Sequence, residues 1–211
     1  MSRLEAFDIP APHGMLEALL RTSDAADGGP PRMAALVCHP HPLGGGTMHN
    51  KVVFRIAEAL GEVGMPSLRF NFRGVGRSTG AYGEGVGEAE DVRIALDALA
   101  ARFPGVPLCL AGFSFGAWVG LPIGCADDRV RQIVGAGVPT GSLPVDALAG
   151  CAKPKLIVQG ERDEYGPPAA LRPWFDALPE PKRLVTVPGT DHFFTDHQSE
   201  LRAAILAYFG A

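Results

Sequence analysis

The chain has 211 residues, 46% of them hydrophobic, with a formal net charge of −4 at pH 7. That length fits one domain (1–211) able to bury its own core, and the hydrophobic share excludes intrinsic disorder. The 27 glycines and 19 prolines follow no collagen period, the charge offers no basic stripe for a phosphate backbone, and no apolar run nears the roughly 18 residues of a membrane span.

Residues 1–14 (MSRLEAFDIPAPHG) hold no apolar stretch after Arg3 and do not read as a signal peptide. Residues 24–31 (DAADGGPP) read as a turn between two early strands. Residues 33–38 (MAALVC) form a continuous apolar run, as in a strand buried on both faces. Residues 48–63 follow with Val52, Val53, Ile56, Leu60 and Val63 at helical spacing, and Gly64 ends that helix. A strand is expected over 66–72 (PSLRFNF). A helix is expected over 87–103, where Val92, Ala95, Leu96, Leu99 and Phe103 form one stripe. Glu88, Glu90 and Asp91 lie near the positive end of that helix. Residues 106–111 (VPLCLA) read as another buried strand, followed by a helix over 115–126. Strands over 130–138, 155–159 and 183–187, with helices over 169–178 and 199–209, complete the chain.

This alternation argues a mostly parallel sheet covered by helices on both faces. Ligand sites in such sheets lie off the carboxyl ends of the strands. The loops to inspect are therefore 39–47, 73–85, 112–115, 139–146, 160–168 and 188–197.

Gly112-Phe113-Ser114-Phe115-Gly116 matches G-x-S-x-G between a buried strand and a helix, the context of a nucleophile elbow. A serine hydroxyl needs a base to attack at neutral pH. His192 lies past the last strand and before the last helix, where the base falls if the chain order is Ser, acid, His. His197 is the rival base. The acid should follow the strand 155–159, and Asp163 is the choice there, to hold the imidazole tautomer. Glu164 is the rival acid, Glu161 sits too near the strand end, and Asp191 reads as a loop carboxylate. One oxyanion donor should be the Phe115 N–H. The other should come from His39-Pro40-His41-Pro42-Leu43-Gly44, where the prolines have no N–H. The candidates are His41, Leu43 and Gly44, of which Leu43 is favoured.

His39, His41 and His49 read as orienting or packing residues rather than metal ligands, since no carboxylate lies near them in sequence. Arg73-Gly74-Val75-Gly76-Arg77-Ser78 lacks G-x-G-x-x-G and a Walker lysine, so it reads as a structural loop. Tyr165 and Phe193 are the first candidates to wall a pocket. The four cysteines (Cys38, Cys109, Cys125, Cys151) form no CxxC pair and read as buried free thiols, which places the protein in the cytoplasm.

These residues resemble the α/β-hydrolase superfamily over nearly the whole chain. GFSFG at 112–116, GERD at 160–163 and DHFF at 191–194 carry the likeness. CHPHPLGGGTMHNKVV at 38–53 and LRFNFRGVGRSTG at 68–80 narrow it to small bacterial serine hydrolases of the dienelactone-hydrolase-like group. The resemblance implies a triad of Ser114, Asp163 and His192, with Leu43 and Phe115 as oxyanion donors. Dienelactone hydrolases proper use cysteine where Ser114 stands, so that activity is not implied. Residues 139–154 are too few for a lid domain, so an open site and small esters are expected.

The expectation is a serine hydrolase, a carboxylesterase acting through an acyl-enzyme, with no cofactor and no metal. It is expected to be a monomer or homodimer, with a small ester-type substrate and neither nucleic-acid nor membrane partners. Amide, peptide or thioester cleavage by the same triad is the alternative chemistry. A non-catalytic ligand-binding protein on this fold is the alternative of a different class.

Overall fold

The computed structural model describes residues 2–23, 29–141 and 148–210. Among the described residues, eight strands form one sheet in the order β1-β2-β4-β3-β5-β6-β7-β8. The strands β3 (Ala34–Cys38), β4 (Ser67–Phe70), β5 (Leu108–Phe113), β6 (Val130–Ala136), β7 (Lys155–Gly160) and β8 (Lys182–Val187) run parallel. Ahead of them β1 (Ser2–Ala11) and β2 (Gly14–Ser23) form a hairpin that joins the sheet antiparallel through β4.

The hairpin turns at Pro12 and His13, with Ala11 opposite Gly14. The stretch 24–31, expected as a turn between two early strands, falls between β2 and β3, and its residues 24–28 lie outside the described residues. Leu16, Ala18 and Leu20 are buried at every second position of β2, the period of a strand with one face on the core.

Five helices of the described residues cover the sheet: α1 (Lys51–Glu62), α2 (Val86–Arg102), α3 (Phe115–Ala126), α4 (Pro168–Ala177) and α5 (Gln198–Phe209). The strand alternation splits the core into two layers. Leu36, Leu110, Ile133 and Ile157 pack in one layer with Val92, Leu96 and Leu99 of α2, Leu121 of α3 and Trp174 of α4. Their sequence neighbours Val37, Cys109, Ala111 and Val158 pack in the other with Val53, Ile56 and Leu60 of α1 and Leu201 and Ile205 of α5. Both faces are covered, which is why these strands read as unbroken apolar runs.

Local signals set the helix starts. The Asn50 side chain accepts the Val52 N–H and starts α1. The Glu88 carboxylate accepts the N–H groups of Gly83 and Gly85 and closes the first turn of α2. Asp91, expected to complement the helix dipole, instead grips the Arg73 guanidinium at 2.7 Å and fastens the 73–85 loop to α2. Arg73, the first residue of the 73–78 stretch read as structural, is fixed in this way.

The cysteine reading needs one correction. Cys125 at the end of α3 and Cys151 are joined as a disulfide, with Cα atoms 5.6 Å apart. Chain folding between β6 and β7 brings together two residues that are 26 apart in sequence. Cys38 and Cys109 remain buried free thiols, with burial raising their pKa values. No helix of the described residues is long and apolar enough to cross a membrane.

Candidate functional site

The elbow is built by close approach. After β5 the chain turns at Ser114, whose φ of 55° and ψ of −121° are strained for a residue with a Cβ. Its N–H is held by the Ala136 carbonyl at 3.0 Å. A Cβ on Gly112 would lie 2.4 Å from the Gly116 carbonyl oxygen, and one on Gly116 would lie 2.4 Å from that of Cys38. Only glycine fits on either side of the serine, so the motif follows from packing of β5 and α3 against β3.

Ser114 then stands at the start of α3. Residues 117 and 118 donate their N–H groups back to the Ser114 carbonyl. Phe115, the first residue of the helix, has no intrahelical acceptor for its N–H, and the positive helix end lies beside the hydroxyl.

The 188–197 loop brings His192 to this hydroxyl. His192 is 2% exposed, and its Nε2 lies 2.9 Å from Ser114 Oγ. Its Nδ1 lies 2.8 Å from Oδ2 of Asp163, which is 1% exposed. A carboxylate only accepts, so Nδ1 carries the proton and Nε2 accepts from the serine hydroxyl. The ring is packed against Phe113, Tyr165 and Phe193, with centroids 5.1, 4.4 and 5.1 Å away.

Asp163 is held from several sides. Its Oδ1 accepts the N–H groups of Tyr165 and Gly166 at 2.8 and 2.9 Å. Its Oδ2 also accepts Nε2 of the buried Gln159 at 2.8 Å. Glu164, the rival acid, is exposed. His197, the rival base, bonds the Thr195 carbonyl at the start of α5. Asp191 accepts the N–H groups of Phe193 and Thr195 and the Thr195 hydroxyl, the loop carboxylate its position implied.

The loop after β3 departs from expectation at one point. The Leu43 N–H is committed to Nδ1 of His41 at 3.2 Å, and the Gly44 N–H to the His41 carbonyl at 3.0 Å. Residues 42–44 form a short 3₁₀ turn, and that turn consumes both donors. Of the three candidates, only the His41 N–H has no acceptor among the described residues. Since its Nδ1 accepts, His41 directs Nε2–H at the Tyr82 hydroxyl, 3.2 Å away.

His39 is fully buried and engaged twice by backbone. Nε2 accepts the Phe72 N–H at 2.9 Å and Nδ1 donates to the Pro40 carbonyl at 2.7 Å. Burial pushes its pKa down to about 4, so the ring is neutral. Both His39 and His41 therefore spend their ring nitrogens on protein partners. No cluster of three metal-ligating side chains occurs among the described residues.

A cleft of about 420 Å³ opens at Ser114, walled by His41, Tyr82, Phe115, Trp118, Pro139 and Tyr165. Apart from Trp118 on α3, the walls come from the strand-end loops anticipated from the sequence. Tyr165 is among them, but Phe193 is not; it stands half-exposed, with its ring edge-on to that of His192. A larger cleft of about 840 Å³ between α1 and α5 contains none of Ser114, Asp163 and His192.

Residues 33–204 match the family model described as "Alpha/beta hydrolase domain". An alpha-beta serine hydrolase homologue from Coxiella burnetii is 36% identical, with a TM-score of 0.88 over 97% of this chain and 96% of that one. The protein XC6422 from Xanthomonas campestris, described as an a/b serine hydrolase without lid, is 34% identical, with a TM-score of 0.85 over 97% and 93%. The uncharacterized protein RP471 of Rickettsia prowazekii is 34% identical over 183 residues, covering 82% of this chain and 77% of its own.

Proposed function

The chain belongs to the alpha/beta hydrolase family, and on that premise we propose that it cleaves small carboxylic esters through an acyl-enzyme on Ser114. The observation that carries this reading is the unbroken relay from Ser114 Oγ to His192 Nε2 at 2.9 Å and from His192 Nδ1 to Asp163 at 2.8 Å. A ligand-binding protein has no use for a buried, hydrogen-bonded acid behind a histidine aimed at a strained serine.

In the first half-reaction Ser114 Oγ attacks the ester carbonyl carbon while His192 Nε2 takes the hydroxyl proton. The negative charge moves to the carbonyl oxygen, which the Phe115 and His41 N–H groups receive. His41 replaces Leu43 in this role, because the Leu43 N–H already has an acceptor. His192 then returns the proton to the leaving alkoxide, the C–O bond breaks and the alcohol departs. Water, deprotonated by His192, adds to the acyl carbon, and His192 returns that proton to Ser114 Oγ as the acyl C–O bond breaks and the acid leaves. Asp163 remains ionised throughout and stabilises the imidazolium.

The cleft supports small esters over long acyl chains. It offers about 420 Å³, and β6 and β7 are joined by residues 137–154 alone, with no room for a lid domain. A panel of one short acyl group presented as ester, thioester and anilide tests the reading. Ester turnover should be fastest and should vanish in Ser114→Ala. Faster anilide than ester turnover, or activity retained by Ser114→Ala, would contradict it.

A further inference from the structure

We propose that Gln159 is a positioning residue that tunes Asp163 and couples it to the walls of the substrate cleft. The inference rests on the Ser114–His192–Asp163 reading above. Gln159 is fully buried near the end of β7. Its Oε1 accepts the Val138 N–H at 2.8 Å. Its Nε2 donates to Asp163 Oδ2 at 2.8 Å, to the Gly166 carbonyl at 3.1 Å and to the Val138 carbonyl at 3.2 Å.

The orientation of this amide is settled by its partners. Flipped, it would set NH₂ against the Val138 N–H and oxygen against three acceptors, losing every bond. Two protons serve three acceptors, and the shortest of these contacts is to Asp163. Oδ2 is also the oxygen that holds His192 Nδ1, so Gln159 and His192 compete for the same negative charge. The neighbours of its other two partners, Pro139 and Tyr165, line the cleft. The space is closely fitted, since a Cβ on Gly166 would lie 2.3 Å from Gln159 Nε2.

The sign of the effect follows. A donor on Oδ2 disperses carboxylate charge, which makes the His192 imidazolium less stable than it would be beside a bare carboxylate. Removing the donor should raise the apparent pKa of His192. The test is the pH profile of kcat/KM for a short ester in wild type and Gln159→Met, with thermal unfolding as the control for folding. The acidic limb should move upward by about half a unit in Gln159→Met. A fall in kcat of about tenfold should accompany it, with KM changed less. Both limbs in the wild-type position, whatever the loss of rate, would mean that Gln159 only fills space.

A measurement on the wild type covers the case in which a variant fails to fold. The Gln159 side-chain amide signals in an NMR titration should follow the same apparent pKa as the His192 ring, and signals indifferent to that titration would overturn the coupling. Wild-type protein that neither turns over esters nor takes a phosphonate on Ser114 would overturn both readings. An active wild type with an unmoved limb would overturn this one alone.

Discussion

The loops after β3 and after β8 both place a buried histidine off the end of a parallel strand, and they put it to opposite uses. His39 offers both ring nitrogens to the backbone, at Pro40 and Phe72. His192 offers one to a carboxylate and the other to a hydroxyl. Burial is nearly the same, 0% and 2% exposed, so burial does not distinguish them. The partner does. A backbone carbonyl and N–H fix a neutral ring in place, whereas an ionised carboxylate behind the ring can support the charge of an imidazolium.

The contrast breaks most directly at the carboxylate. Asp163→Asn should lower kcat by roughly four orders of magnitude, because an amide can hold the wrong imidazole tautomer. Loss of less than tenfold, measured by steady-state kinetics on a short ester, would place His192 in the same class as His39. Ser114→Ala should remove turnover altogether while leaving the unfolding temperature close to wild type.

The next effect concerns the loop that carries His39. His41 has φ −52°, which proline adopts without strain. His41→Pro removes the N–H and the ring, whereas His41→Ala removes only the ring. The proline variant should be slower than the alanine variant by roughly 10²–10³ in kcat, the usual worth of one oxyanion donor. Equal rates would return the second donor to another N–H.

A smaller effect should appear in stability rather than rate. His39 has an ordinary pKa of 6.5, pushed down to about 4 by burial. Below 6.5 the unfolded chain takes up a proton that the folded chain refuses, so stability should fall as the pH drops from 6.5 towards 4. The contribution amounts to about 3 kcal/mol at most. His39→Gln retains an acceptor for the Phe72 N–H and cannot titrate, so its denaturant-derived stability should decline less steeply over that window. Parallel curves would show that His39 is not the group resisting protonation. The smallest expected change is Tyr82→Phe, which removes one hydrogen bond to His41 and should cost only a few-fold in kcat.

Much of this was legible in the chain, for stated reasons. β3 and β5 are buried on both faces and so are apolar throughout, and α2 has one stripe and an acidic first turn. Ser114, His192 and Asp163 each follow a strand end, where the order of elements is enough to locate them. The hairpin β1–β2 was harder to delimit, because its alternation is broken by Leu19 and by Pro10 and its turn carries no Asn-Gly signal. The second oxyanion donor depends on which N–H the 3₁₀ turn uses, a matter of dihedral angles rather than residue types. Gln159 sat inside an apolar strand pattern as its last residue, and only the fold shows that its amide reaches Asp163. The Cys125–Cys151 pair depends on Cys151 lying beside the end of α3, which spacing alone does not determine.

The central claim is that His192, unlike His39, activates a neighbouring hydroxyl. Intact mass after treatment with a fluorophosphonate, followed by peptide mapping, tests it most directly. The account predicts a single adduct on Ser114 in the wild type, slowed by orders of magnitude in Asp163→Asn and unaffected in Glu164→Gln. Folded wild-type protein that takes no adduct, or takes it on another residue, would contradict it.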